Sequence, residues 1–257
     1  MKAEHILFLA TGSAWLIYFW GGEARWYFEK ETFLKKYYNT SIFGERERCF
    51  VSPEAMHPMA GNRWFQWFWE PCTDCLQRRR LGKPGDGGKW VCTSDQINET
   101  SRVVSIGSNN EFSFEMAIIA KFDLKSVEVY DHTSFPPQDL TVKGSERIIF
   151  RREKMTHRKL KKIILRSAKS KKIKILKVDC EGCELELFTP EVLELLHQME
   201  TQLLIEIHWS ALKQDGVVQL WEHLANANYG PFHKEPNIEC SDGSCVEYSF
   251  LPLKVSK

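Results

Sequence analysis

The sequence predicts an α/β fold built on a mainly parallel sheet with helices on both faces, and three observations carry that reading. From Arg102 onward, short apolar runs alternate with helix-periodic segments. The strand-like runs are apolar with little polar alternation, as strands covered on both faces are. Glycines and acids follow three of the runs directly, where the chain must turn from strand to helix.

The elements follow in order. Arg102 to Ile106 is a short β-branched strand, and a helix runs from about Phe112 to Phe122. Ser126 to Tyr130 and Arg147 to Phe150 are the second and third strands. A basic amphipathic helix covers about Thr156 to Ser170, with Leu160, Ile163, Ile164 and Leu165 as its buried side. Ile173 to Val178 is a fourth strand, and a helix carrying Leu193, Leu195 and Leu196 follows Pro190. Leu203 to Ile207 is a fifth strand, and a helix spans about Val217 to Asn226. Two late strands, near Phe232 and at Cys245 to Leu251, complete a seven-stranded, Rossmann-like sheet with an antiparallel edge. Right-handed crossovers then align the C-terminal ends of the parallel strands along one edge, where such sheets bind ligands.

At 257 residues the chain holds one sizeable α/β domain and an N-terminal appendage. Its 35 basic and 34 acidic residues create no global field for nucleic acid or anionic lipid, so any basic preference is local. Ile6 to Trp20 is the longest uncharged stretch, and with two glycines it reaches about 17 residues, the short limit for a membrane-spanning helix. Aromatic residues crowd its end, as at a membrane interface. Residues 1–22 therefore read as a helical signal-anchor or a signal peptide. Residues 23–84 read as a stem and a Cys- and Trp-rich extension, irregular from Cys49 onward, with turns marked by Lys83 to Gly88. Residues 85–257 form the folded domain.

Asn39-Thr40-Ser41 and Asn98-Glu99-Thr100 fit the N-glycosylation pattern. Eight cysteines form an even set that suits disulfides in an oxidising lumen, with connectivity left open. Cys240 and Cys245 bracket a turn that a disulfide would staple. The pairs Cys72/Cys75 and Cys180/Cys183 also admit redox or zinc readings. These features place the chain at a secretory-pathway membrane (Golgi or endoplasmic reticulum) with a lumenal domain, or among secreted proteins.

Three segments carry chemistry. The first strand turns at Gly107 into a helix, where the missing Cβ allows a ligand close to the backbone; the bland alternative is a tight strand-to-helix turn. Asp131 ends the second strand, where an acid can accept hydrogen bonds from both hydroxyls of a ribose; the alternative is an acid that starts a turn. The fourth strand delivers Asp179 and Glu181 to the same edge, with Gly182 permitting a sharp turn. Two carboxylates so close call for a proton, a cation or solvent.

Ser105-Ile106-Gly107-Ser108-Asn109-Asn110-Glu111-Phe112-Ser113-Phe114-Glu115, Val129-Tyr130-Asp131 and Lys177-Val178-Asp179-Cys180-Glu181-Gly182-Cys183-Glu184 resemble the FkbM-type methyltransferases. Gly85 to Cys92 is similar to the branch of methyltransferase-like, membrane-anchored proteins, and Leu204-Ile205-Glu206-Ile207-His208 to the family's fifth strand. The resemblance covers residues 85 to 251. It implies S-adenosyl-L-methionine as cofactor, with Ser105, Gly107 and Asn109 lining its methionine and ribose part and Asp131 holding the ribose. Asp179 would sit beside the sulfonium and Glu181 near the acceptor, with Glu206 and His208 closing the pocket. The chain departs from the family's acidic-x-Gly-x-Gly pattern, lacking the leading acid and the second glycine.

The expected reaction is methyl transfer to oxygen on a sugar, lipid or small metabolite, with Asp179, Glu181, Glu206 or His208 as base. No metal is expected. A lumenal binding module without turnover is one alternative. A nucleic-acid methyltransferase using the segment Arg151 to Lys174 is another, disfavoured because no aromatic stacking platform interleaves the lysines.

Overall fold

The computed structural model describes residues 9–10, 13–14, 70–93, 97–139, 141–168, 171–240 and 245–253. Two compact units divide the chain at Gly44. In the first, Leu9–Ala10 pairs antiparallel with Ser13–Ala14. The rest of the expected anchor, and the stem up to residue 69, lie outside the described residues. Among the described residues, no helix is long and apolar enough to cross a membrane.

The second unit opens with a hairpin, β1 (Arg78–Leu81) and β2 (Lys89–Cys92), joined by the Lys83 to Gly88 turns. It spans the 84/85 boundary expected from sequence, where the reading was of an irregular extension. Its strands are only four residues long and β1 is mostly basic, so neither shows the apolar run that marked the later strands.

The main sheet contains β3 (Arg102–Ile106), β4 (Val127–Tyr130), β5 (Ile148–Arg151), β6 (Ile173–Val178), β7 (Gln202–His208), β8 (Tyr229–Pro236) and β9 (Cys245–Pro252). Their order is β8-β9-β7-β6-β3-β4-β5. β3 to β7 are mutually parallel, and β9 runs antiparallel between β7 and β8. The seven-stranded, mainly parallel expectation is met. Every residue of β7 is buried, as a strand covered on both faces requires.

The helices are α1 (Ser113–Phe122), α2 (His157–Ala168), α3 (Glu184–Leu187), α4 (Pro190–Gln198) and α5 (Trp209–Asn226). Phe114, Ile118 and Ile119 of α1 cluster with Val103, Val127 and Val129. α2 buries Leu160, Ile163 and Ile164, whereas Leu165, expected inside, faces out. α4 starts where its periodicity suggested: the Thr189 hydroxyl accepts from the Val192 N–H, and Pro190 occupies the first turn, whose N–H groups need no helical partner. α5 begins eight residues earlier than expected and is broken at Lys213, a non-glycine residue at φ 57°.

Strand order reverses at β3: the chain adds β4 and β5 on one side of it, then crosses over to add β6 and β7 on the other. Open α/β sheets form a crevice at such a point.

Candidate active site

A cavity of about 440 Å³ lies at that crevice, within the size range of small-molecule and cofactor sites. Residues following β3, β4, β5 and β6 all reach it, together with Glu206 and His208 of β7, the hairpin turn (Asp86, Gly87) and the segment after β8 (Asn237, Glu239, Cys240). Eight lining carboxylates face two lysines, Lys154 and Lys177. The lining therefore favours a ligand with positive charge.

The loop after β3 takes left-handed backbone at Gly107 (φ 82°), Asn109 (φ 45°) and Asn110 (φ 60°). Asparagine tolerates that region better than other side chains, so Asn109 provides the bend that a second glycine would. Gly107 is demanded by packing: a Cβ there would lie 1.6 Å from the Asp179 carbonyl oxygen. Its missing side chain lets the ends of β3 and β6 meet, with no ligand needed to explain it.

Asp131 answers to the turn alternative. Its Oδ2 accepts from the Ser108 N–H (2.8 Å), the Ser108 hydroxyl (3.0 Å) and the Asn109 N–H (3.2 Å). Its Oδ1 accepts from the Thr133 N–H (2.8 Å), the Thr133 hydroxyl (2.7 Å) and the Ser134 N–H (3.2 Å). Six donors saturate a carboxylate with about four lone-pair positions. Burial opposes the charge, but the hydrogen bonds from Thr133, Ser134 and Ser108 win and hold the carboxyl well below its usual range. Asp131 thus ties the β3 loop to the β4 loop, and nothing is left over for two ribose hydroxyls.

Behind the cavity lies a buried charge network. Lys89 of β2 is 1% exposed, and its Nζ pairs with Asp179 Oδ2 (3.0 Å), Glu206 Oε2 (3.8 Å) and Glu247 Oε1. Glu206 and Glu247 are cross-strand partners on β7 and β9. Like charges in that register repel unless a cation intervenes, and Lys89 is that cation. Lys177 Nζ donates to the Gly107 carbonyl (2.6 Å) and stands 3.5 Å from Asp179. Burial alone would raise Asp179, but the two ammonium groups hold it below its ordinary range. Glu206 moves the other way, to about 9, through burial and the charges of Asp179 and Glu247. Its Oε1 accepts from Asn237 Nδ2 at 2.8 Å.

His208 ends β7 with its Nδ1 2.6 Å from Glu184 Oε1, and its Nε2 is 3.5 Å from Glu181 Oε2. Burial would lower the imidazole, but the Glu184 hydrogen bond and charge, with Glu206 and Glu181, raise it to about 9. Ligand atoms of Asp179, Glu206 and His208 lie within 4.8 Å of one another, a spacing that could hold a metal ion. The Lys89 ammonium already supplies positive charge to two of the three.

A disulfide, Cys180–Cys183, staples the turn between Asp179 and Glu184, and both cysteines line the cavity. Cys240–Cys245 staples the β8–β9 connection as its spacing suggested, and Cys75–Cys92 ties the hairpin to the segment before it. Cys72 is also disulfide-bonded, so Cys72 and Cys75 are not a pair, and the zinc reading of these thiols is displaced.

Of the residues singled out in the sequence, Gly107, Asn109, Asp131, Asp179, Glu181, Glu206 and His208 all line this one cavity. Ser105 does not: it is fully buried and donates to Glu115 Oε1 (2.5 Å), because the pleat of β3 turns it inward. Sequence reasoning missed Lys89, Glu184, Asn237 and Glu247. A glycine-rich turn between Arg78-Arg79-Arg80-Leu81 and Lys89-Trp90-Val91-Cys92 is a hairpin signal that could have exposed Lys89. Nothing local marks the others.

A family model described as a methyltransferase domain matches residues 39–252. The chain belongs to this methyltransferase-domain family. The matched span includes the whole hairpin, both β1, which lies before residue 85, and β2 with Lys89. No curated protein matches the chain. Solved structures with a similar trace include the fibrillarin pre-rRNA processing protein of Methanococcus jannaschii (12% identity, 70% of this chain, 84% of that one, TM-score 0.40). Others are the N-methyltransferase NodS of Bradyrhizobium japonicum (13%, 62%, 89%, 0.39) and TrmK of M. capricolum bound to S-adenosylhomocysteine (17%, 63%, 66%, 0.39).

Proposed function

We propose that this methyltransferase domain uses S-adenosyl-L-methionine to methylate an oxygen of a sugar, lipid or small metabolite in the secretory lumen. The observation that carries the reading is the acid-lined cavity at the strand-order reversal of a chain with this family's domain. The cofactor carries a sulfonium and an ammonium, and eight carboxylates in the lining suit such a ligand. The Gly107–Asn109 loop and the rim Glu153 to Met155 would hold it, with Asp131 acting through the loop it fixes. The FkbM-type affinity is supported by the ordered blocks read in the sequence.

When bound, that cofactor supplies a methyl group on positively charged sulfur, released to the acceptor oxygen as the sulfur–carbon bond breaks. His208 is the group suited to remove the acceptor's proton. Glu184 fixes its Nδ1 side, leaving Nε2 to serve as the base. Glu181, which is exposed, would meet the acceptor, while Asp179 and Lys89 would shape the floor.

The disulfides Cys75–Cys92, Cys180–Cys183 and Cys240–Cys245 support an oxidising compartment. The exposed sequon does too: Asn98 Oδ1 accepts from the Thr100 N–H and hydroxyl. Anchoring through residues 1–22 remains part of this proposal. The test is calorimetry of the full chain with S-adenosylhomocysteine, followed by radiolabelled methyl transfer to fractionated lysate. Binding plus His208-dependent labelling of a base-stable, hydroxyl-bearing product is expected. Absence of binding overturns the enzyme reading, and binding without transfer leaves a cofactor-holding module.

A further inference from the structure

The segment from Arg151 to Lys174 carries twelve lysines and arginines against one carboxylate, in a chain whose net charge is +1. The fold concentrates these charges. Arg158, Lys162 and Arg166 recur every four residues along α2 and share one outward face, opposite the buried Leu160, Ile163 and Ile164. Leu165, 44% exposed, joins them, and with Lys161 they line a shallow surface groove of about 290 Å³.

Local pairing does not consume this charge. Lys159 pairs with Glu153 and Lys161 with Glu191 (2.5 Å), whereas no carboxylate among the described residues pairs with Arg158 or Lys162. Arg151, Arg152 and Lys154 are exposed beside the helix start, and Lys154 also lines the main cavity. One basic track therefore begins at the cavity rim and extends along α2, which is about 18 Å long at 1.5 Å per residue.

Charge complementarity selects a polyanion for this track. A nucleic acid would want aromatic platforms between the cations, and α2 has none. An anionic membrane would want a broad apolar face, and Leu165 is the only exposed large apolar side chain on this helix. A cluster of basic residues on a disulfide-bonded protein suits a sulfated glycan.

We propose that the α2 face is a docking site for a sulfated glycan chain, which it would hold with one end at the cavity. The inference deepens the functional reading by naming an acceptor class, and rests on it only for that last step.

The test uses the full chain, with heparin as probe and with single-stranded RNA and phosphatidylserine vesicles as competing arms. Engaging four of these cations predicts heparin affinity falling about a hundred-fold between 0.05 and 0.2 M salt. Arg158→Glu with Lys162→Glu should cut that dependence to about ten-fold, while S-adenosylhomocysteine affinity stays unchanged. Arg158→Gln with Lys162→Gln serves as the milder pair should charge reversal impair folding. Weak heparin binding at 0.05 M salt, equal binding by both variants, or tighter binding to RNA or vesicles at matched salt each overturns the proposal. Cofactor binding measured in the same preparations separates this failure from failure of the methyltransferase reading.

Discussion

Glu184 Oε1 and His208 Nδ1 lie 2.6 Å apart, both side chains buried, joining the turn after β6 to the end of β7. The carboxylate orients the ring and stabilises its protonated form, so the resting imidazole titrates near 9. A base must first lose that proton. Activity should therefore rise with pH through about 9. Glu184→Gln removes the main source of the upward shift and should move the rising limb of kcat/KM to lower pH. His208→Ala should lower kcat by about 10²–10⁴-fold. A pH–rate profile unaltered by Glu184→Gln would show that the pair is purely structural.

Lys89 is the only cation pairing with all three of Asp179, Glu206 and Glu247 among the described residues. Removing one partner of a buried ion pair costs about 3–5 kcal/mol, since the charges left behind are uncompensated. Lys89→Met should cost that much in urea denaturation. Adding Glu247→Gln should recover part of it, because the two changes act on one network. Strict additivity of the two would break the assignment.

Asp131 acts by holding two loops. Asp131→Asn keeps the size but turns an NH₂ group against N–H and O–H donors. It should lower stability by about 1–3 kcal/mol and weaken S-adenosylhomocysteine binding together. Thr133→Val touches only the Oδ1 side, away from the β3 loop. It should lose less than half as much cofactor affinity. Loss of affinity in Asp131→Asn without loss of stability would instead restore direct ribose contact.

The Cys180–Cys183 disulfide braces the turn that carries Asp179, Glu181 and Glu184. A loop this short contributes about 2 kcal/mol through the unfolded chain. Cys180→Ser with Cys183→Ser should lower the thermal midpoint modestly and reduce kcat more than cofactor affinity, since Glu184 loses its fixed approach to His208. Equal kcat in the wild type and the double variant would remove the disulfide from the site.

Asn98 in the exposed sequon offers a check on compartment. Expressed in a secretory host, the chain should lose mass on glycosidase treatment, and Asn98→Gln should reduce that loss. An unglycosylated, membrane-free product would argue against lumenal residence.

Much of the fold was legible because strand and helix signals are local. The fourth strand runs from Ile173 to Val178 as read, and α1 and α4 begin within a residue or so of their expected starts. The hairpin escaped because its strands are only four residues long and the first is mostly basic, and Leu165 was misplaced because an apolar residue beside a buried stripe can point either way. The site was half legible. Acids and glycines after successive strands marked the cavity edge, yet Asp131 turned out to serve the loops, and Ser105 to face inward.

The amino-acid order alone determined which segments form the sheet, that Gly107, Asp131 and Asp179 share one edge, and that α2 is strongly basic. Periodicity and turn chemistry depend on neighbours in sequence, so they can be read without coordinates. Only the tertiary structure decided that Lys89 enters the acid cluster, that Glu184 holds His208, and that Asp131 is saturated. Those outcomes depend on where the crossovers and the hairpin bring distant side chains, and on which charges burial then forces into pairs.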